Sequence, residues 1–225
     1  LQDVLSTKHN LTLFASGYEK RCTYIPTLIE GSKLKKCVVL GFAEKRNDEQ
    51  RWENDNYFRD TWGTRPIIVS ADDETTMYPA FDLIFKELQD LDELRILVDY
   101  SSMSRLWYLG ILNYIRFKKP NCPVEIDFLY SVGKYRDEYP SLVVNTVLAM
   151  PICEGTPTPL SRSIAIFGLG FDGLATSSVL EQLQAEEVYS FYASPGAFPD
   201  YSDRTLLNND DLLQNYPRIV LKLPL

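Results

Sequence analysis

The segment DYSSMSR, residues 99–105, places an acid, three hydroxyls and a cation directly after an apolar run. The amino end of a helix leaves backbone N–H groups unpaired and carries partial positive charge, so hydroxyls and a guanidinium there favour an anion. One serine would suffice to cap the helix, and this segment exceeds that need. It therefore predicts ligand contacts from Asp99, Ser101, Ser102, Ser104 and Arg105. The role of Asp99 stays open between receiving a ribose hydroxyl, holding a metal and bracing nearby N–H groups.

Two further segments, SGYEKR at 16–21 and AEKRND at 43–48, also place cations directly after apolar runs. Lysine and arginine at the start of a helix oppose the helix dipole and so have no obvious structural purpose there. We therefore expect these cations, with Arg105, to form a local anion-attracting site. The candidate ligand-binding residues of the two segments are Ser16, Gly17, Lys20, Arg21, Arg46 and Asn47, and Lys45 is a further cation of the same edge.

The elements that position these loops follow from short apolar runs alternating with longer patterns of helical period. Such alternation predicts an α/β fold: a mostly parallel, Rossmann-like sheet with helices on both faces, whose ligands bind at the carboxyl ends of the strands. The predicted strands are 11–16, 36–42, 66–70, 94–100, 124–131, 163–169 and 187–194. The predicted helices are 21–30, 47–61, 75–91, 103–117, 173–185 and 203–215.

The run SLVVNTVLA at 141–149 follows the preceding strand with no room for a crossover helix, so it predicts an antiparallel or edge strand. A linker rich in proline, threonine and glycine comes next. We assign 1–150 to a Rossmann-like ligand-binding unit and 151–225 to a second βαβα unit that completes the same sheet.

The second unit echoes the first. A strand followed by Gly-aromatic-acid occurs at 17–19 and again at 170–172, and an arginine with a nearby asparagine follows each pair of strands. This similarity leads to the hypothesis of an internal βαβ duplication. The residues of the later pattern are Arg51 with Asn54 and Arg204 with Asn208.

The stretch IAIFGLGFDG matches G-x-G-x-x-G between a predicted strand and helix, which makes Gly168 and Gly170 candidate ligand contacts. Dinucleotide-binding units have an acidic residue about 20 residues after the glycines, which binds the ribose. The second strand of this unit ends without such an acid. We therefore do not expect NAD(P) or FAD, and a tight turn with close helix packing is the alternative interpretation of these glycines.

Composition excludes several classes of function. A net charge of −8 disfavours duplex nucleic acid as a partner. His9 is the single histidine, which argues against histidine triads and histidine-ligated zinc. The acids Asp72, Asp73 and Glu74 are explained as partners of a helix dipole, so no metal site is predicted. The four cysteines lack CxxC spacing and no apolar run approaches a membrane span, so we expect free thiols, no membrane association and a cytoplasmic location.

The loops at Ser16 and Gly17, and the later pattern Asp99, Ser101, Ser102, Ser104 and Arg105 opening a helix, resemble the Rossmann-like nucleotide-sensing domains of bacterial defence systems of the CARF and SAVED type. The resemblance covers residues 11–131. This chain has Ser102 and Met103 where those sensors usually have glycines. The resemblance implies a phosphate-bearing nucleotide at the carboxyl edge of the sheet, an effector protein as partner, and often a homodimer.

Three hypotheses of function follow. The first is a module that binds a nucleotide or another phosphate-bearing small molecule. The second is a hydrolase of a nucleotide's glycosidic or phosphoester bond, in which Glu19 or Asp99 activates water. The third is a protein-interaction subunit with a vestigial pocket.

Overall fold

The computed structural model describes residues 2–29, 35–44, 46–118, 120–133, 144–150, 153–156, 158, 161–216 and 220–223, the last of these by their backbone alone. The chain divides into two compact units, Leu1–Gly133 and Lys134–Leu225. The boundary therefore lies before residue 134, whereas the sequence pattern places it after residue 150.

The first unit alternates strands and helices as predicted. Its strands are β1 (Leu11–Ser16), β2 (Cys37–Phe42), β3 (Ile67–Val69), β4 (Leu94–Asp99) and β5 (Val124–Leu129). Its helices are α1 (Gln2–Ser6), α2 (Tyr24–Leu28), α3 (Glu49–Trp62), α4 (Tyr78–Glu87) and α5 (Arg105–Lys118). Short 3₁₀ turns at Lys20–Thr23 and Glu74–Met77 precede α2 and α4.

The strands of this unit form a five-stranded sheet in the order β3-β2-β1-β4-β5, and every pairing is parallel. β1 lies at the centre, with Leu13 beside Val38 of β2 on one side and Val98 of β4 on the other. The predicted α/β, Rossmann-like fold is confirmed. The chain leaves β1 toward one half of the sheet and enters β4 in the other half, so the loops after these two strands diverge from a crevice.

Two apolar clusters cover the two faces of the sheet. Alternate residues of each strand point to opposite faces, so Leu13 and Ala15 pack with the α4 and α5 side, whereas Phe14 packs with α2 and α3. Trp107 of α5 and Phe58 of α3 are fully buried on their respective sides. Burial on both faces explains why these strands are nearly continuous apolar runs in the sequence.

Some elements differ from their predicted extent. The helix predicted at 21–30 is a 3₁₀ turn followed by the short α2, and Pro26 lies within this helix. The strand predicted at 141–149 is not formed over 144–150, which has no regular secondary structure; residues 141–143 lie outside the described part. No side chain of 144–150 is buried, so the apolar alternation there does not serve a core strand.

The second unit contains β6 (Ile164–Gly168), α6 (Gly173–Leu183), β7 (Glu187–Ala193), α7 (Tyr201–Asn208), α8 (Asp210–Asn215) and β8 (Val220–Leu223). Its strands form a separate parallel sheet of three strands in the order β6-β7-β8. In the described part of the chain they do not extend the five-stranded sheet, so the expectation of one common sheet is not met. The unit has its own apolar cluster, centred on Val188 and Leu180, which accounts for its separate sheet.

The two units share a detail that supports the duplication hypothesis. In the first unit, Asn54 Nδ2 of α3 donates to the carbonyl of Gly17 at 2.9 Å. In the second, Asn209 Nδ2 donates to the carbonyl of Gly170 at 2.7 Å, and Asn208 donates to that of Phe171. In both cases an asparagine after the second strand fixes the loop after the first strand.

Within the described ranges, no helix combines the length and the apolar character that crossing a membrane requires.

Candidate functional site

A cavity of about 210 Å³ lies at the carboxyl edge of the five-stranded sheet, where the loops after β1 and β4 diverge. Open α/β sheets bind ligands at such a reversal of strand order. The two loops come close together, since a Cβ added to Gly17 would lie 3.2 Å from Cβ of Ser102. The residues that line the cavity are Gly17, Tyr18, Glu19, Arg21, Phe42, Ser101, Ser102 and Met103.

Aromatic side chains support this cavity. Phe42, the last residue of β2, stacks on the buried Trp107 with a centroid separation of 4.1 Å, and Tyr18 packs against Phe42 at 5.0 Å. Trp107 is fixed in turn because its Nε1 donates to the carbonyl of Ser70 at 2.6 Å. Burial, and next the charge of Glu44, raises the pKa of the Tyr18 hydroxyl, which keeps this wall neutral. The site thus offers flat apolar surface beside polar groups.

The loop after β1 is held by polar side chains of α3. Asn54 donates to the carbonyls of Gly17 and Glu19, at 2.9 and 3.1 Å. Arg51, which is 1% exposed, donates to the carbonyl of Phe42 at 2.6 Å and forms an ion pair with Asp55 at 2.8 Å. Through these hydrogen bonds to the backbone, α3 fixes two parts of the cavity lining, the loop after β1 and the end of β2.

The sequence motifs do not predict a role at the site for these α3 residues, although Arg51 and Asn54 belong to the internal echo. Their polar side chains on a helix look solvent-exposed in sequence, and burial becomes visible only when the sheet is assembled. Ser16, a predicted ligand contact, belongs to this support instead, because its hydroxyl donates to Asp55 Oδ1 at 2.5 Å and is fully buried.

The segment DYSSMSR combines support with exposure to the cavity. The Ser101 hydroxyl donates to Asp99 Oδ1 and accepts the backbone N–H of Ser131 at 2.7 Å, so it ties the loop after β4 to the end of β5. Asp99 also accepts the N–H of Ser101 at 3.0 Å. Of the three roles left open for Asp99, the structure shows the brace for backbone N–H groups.

Burial raises the pKa of Asp99 to about 6, against the opposing effects of the Ser101 donors and of the charge of Arg21. Asp99 is 2% exposed and is absent from the cavity lining. Its surroundings thus shift the pKa of Asp99, but its carboxyl group does not line the cavity.

The other two serines of the segment have different tasks. Ser104 caps α5, because its hydroxyl accepts the N–H of Trp107 at 3.3 Å and donates to the carbonyl of Ala71 at 3.3 Å. Ser102 lines the cavity, and its buried Oγ has no hydrogen-bond partner among the described residues.

Arg21 is the cation that lines the cavity within the described residues. Its Nη1 donates to the Tyr130 hydroxyl at 2.8 Å and to the carbonyl of Ser131 at 3.3 Å, and its guanidinium lies 5.3 Å from the centre of the Tyr130 ring. Its Nε is paired with the carboxylate of Glu19, which also lines the cavity. The site therefore contains one opposite-charge pair.

Four other predicted ligand contacts, of which three are cations, do not line this cavity. Lys20, Arg46, Asn47 and Arg105 are exposed, and Arg46 Nε donates to the carbonyl of Ala43 at 3.1 Å within its own loop. Lys45 lies outside the described residues. Phe42 at the end of β2 lines the cavity and Arg46 does not, so Arg21 is the predicted cation found there in the described part of the chain.

Gly168 and Gly170 belong to the second unit. There the third glycine of the motif, Gly173, packs so closely on α7 that an added Cβ would overlap the carbonyl oxygen of Asn208. This close approach supports the interpretation of the motif as a tight turn with close helix packing.

Other reactive groups near the sheet are engaged or buried. Burial raises the pKa of the Cys22 thiol to about 12. His9 is buried and its Nε2 lies 2.9 Å from Asp127 Oδ2. Across the described ranges, no group of three His, Cys, Asp or Glu side chains is arranged to hold a metal ion.

Comparison of the chain with protein-family models finds no match, and comparison with curated proteins finds none either. Function is therefore argued from the site itself.

Proposed function

We propose that the first unit binds a nucleotide or a similar phosphate-bearing small molecule in the cavity between the loops after β1 and β4. The observation that carries the proposal is a cavity at the reversal of strand order whose wall holds the Arg21 guanidinium beside the Tyr18 and Phe42 rings. The guanidinium of Arg21 supplies the positive charge for a phosphate, and the Tyr18 and Phe42 rings supply apolar surface for a sugar or a base.

The size of the cavity limits how the ligand enters. At about 210 Å³ it is smaller than the roughly 300 Å³ of a pocket that encloses a whole drug-sized ligand. We therefore expect the phosphate or sugar part to enter the cavity while the rest lies outside on the loops. The resemblance to CARF and SAVED domains extends this proposal to a sensor that passes ligand binding to an effector protein or to a second copy of the chain.

Isothermal titration against a panel of linear and cyclic nucleotides tests the proposal. We expect at least one compound to bind the wild type and to lose binding in Ser102→Leu, because the larger side chain fills the cavity. Ser6→Leu is the matched control, since Ser6 is exposed on α1. Melting curves establish that both variants fold. Absence of binding by every phosphate-bearing compound, or equal binding by Ser102→Leu, contradicts the proposal.

A second candidate function, hydrolysis of the bound nucleotide, is favoured by one observation: Glu19 is a carboxylate in the cavity wall. Its carboxylate would activate water as a general base. Chromatography of the bound compound after incubation tests this: Glu19→Gln should bind the compound but form no product. If the wild type forms no product, binding without turnover is the function.

A further inference from the structure

Glu19 and Arg21 together make the cavity electrically neutral. Among the described residues these are the carboxylate and the guanidinium that line it, and each is in contact with the other. An arginine recognises phosphate through two parallel N–H donors, one of which is commonly Nε. In this structure Arg21 Nε is already occupied by Glu19.

Arg21 does not depend on Glu19 for its position. The Tyr130 hydroxyl and the Ser131 carbonyl accept its Nη1 on the other side, and the Tyr130 ring lies beneath the guanidinium. These partners are uncharged, so they orient the guanidinium without neutralising it. Removing the Glu19 carboxylate therefore leaves a positioned cation in the cavity wall.

Glu19, by contrast, has a fixed backbone and a more accessible side chain. Its carbonyl accepts from Asn54 at 3.1 Å, whereas its side chain is 54% exposed. The carboxylate can leave Arg21 by rotation of side-chain bonds alone, at a small cost because exposed ion pairs contribute little.

We propose that the Glu19 carboxylate is an internal competitor that occupies Arg21 until the anionic group of the ligand displaces it. The inference rests on the proposed function and adds its regulation: the site binds weakly to any stray anion and responds to a ligand that also uses the Ser102 wall. Glu19 thus sets the threshold for phosphate recognition.

Titration with inorganic phosphate, followed by ¹H–¹⁵N NMR of the amides of Gly17 and Ser102 and of Arg21 Nε, tests the competition. We expect Glu19→Gln to bind phosphate roughly 2- to 5-fold more tightly than the wild type, because one exposed ion pair no longer competes. Arg21→Gln should lose the response in both backgrounds. Should Arg21→Gln fail to fold, Arg21→Lys keeps the charge without the fork and should bind more weakly than the Glu19→Gln protein.

Glu93→Gln is the matched control. Glu93 pairs with Arg95 at 3.0 Å with the same two-residue spacing and is about as exposed, but it precedes β4 and does not line the cavity. We expect it to leave phosphate binding unchanged. Equal or weaker phosphate binding by Glu19→Gln, or no response to phosphate in any variant, contradicts the proposal that Glu19 competes for Arg21. A nucleotide that binds the wild type in that event leaves the proposed function standing. Tighter binding of inorganic phosphate by Glu19→Gln, with no binding of any nucleotide or other organic phosphate, contradicts the proposed function alone.

Discussion

The buried Asp99 carboxyl should make the stability of the protein fall as the pH rises from 4 to 6. Burial raises the pKa of this group from its ordinary value of 3.8 to about 6. The folded protein therefore holds the Asp99 proton over a pH range in which the unfolded chain has released it. Ionisation in the folded state is disfavoured, so this group contributes most stability below pH 4 and loses that contribution through pH 6.

The size of the effect follows from the shift. One pKa unit corresponds to 1.36 kcal/mol, so a rise from 3.8 to about 6 corresponds to a loss of about 2 to 3 kcal/mol of unfolding free energy between pH 4 and 7. Asp99→Asn removes this dependence and keeps an acceptor for the N–H and hydroxyl of Ser101. Relative to the wild type, the variant should gain stability by about that amount as the pH rises through this range.

Urea unfolding of both proteins at several pH values from 4 to 7 measures the difference directly. Other carboxylates contribute equally to both proteins and cancel in the comparison. A difference in unfolding free energy that stays constant over this range refutes the assignment of a raised pKa to Asp99.

Four other substitutions test the support and the lining of the site. Gly41→Ala should destabilise the protein by about 1 to 3 kcal/mol in urea unfolding, because the new methyl group overlaps the Arg51 guanidinium; unchanged stability contradicts this packing. Asn54→Leu should cost about 2 to 3 kcal/mol and speed amide exchange in the loop after β1, whose carbonyls lose a donor; unchanged exchange contradicts the brace. Ser101→Ala should lower the free energy of unfolding by about 1 to 3 kcal/mol. Ser102→Ala should change it by less than about 0.5 kcal/mol but weaken ligand binding. Equal changes in melting temperature in the two variants contradict this division of roles.

The strands of the sheet were predictable because a parallel sheet is covered on both faces. LRILVD shows this pattern, since β4 is buried along most of its length. The separate three-stranded sheet was not predictable, because a strand's period indicates which residues are buried and not which strand it pairs with. The run at 141–149 has the alternation of a strand, but residues 144–150 lie outside both sheets.

Part of the site was also predictable from position alone. Gly17, Glu19, Arg21, Ser101 and Ser102 follow the two strands at which the strand order reverses, and all five line the cavity.

The division of labour within DYSSMSR was not predictable. The group that donates to the Ser101 hydroxyl is the N–H of Ser131, which follows β5 and is 30 residues away in the sequence. Asn54 of α3, which holds the loop after β1, also acts across a long sequence separation, so its burial appears only in the assembled structure.

The central claim is that the loops at 17–21 and 101–103 form a single binding site. Hydrogen–deuterium exchange of the wild type, with and without the nucleotide that gives the largest thermal shift in a panel, tests it most directly. If the two loops form one site, both gain protection together at saturation and neither does in Ser102→Leu. Protection confined to one loop or to other elements, or no protection by any compound, contradicts the account.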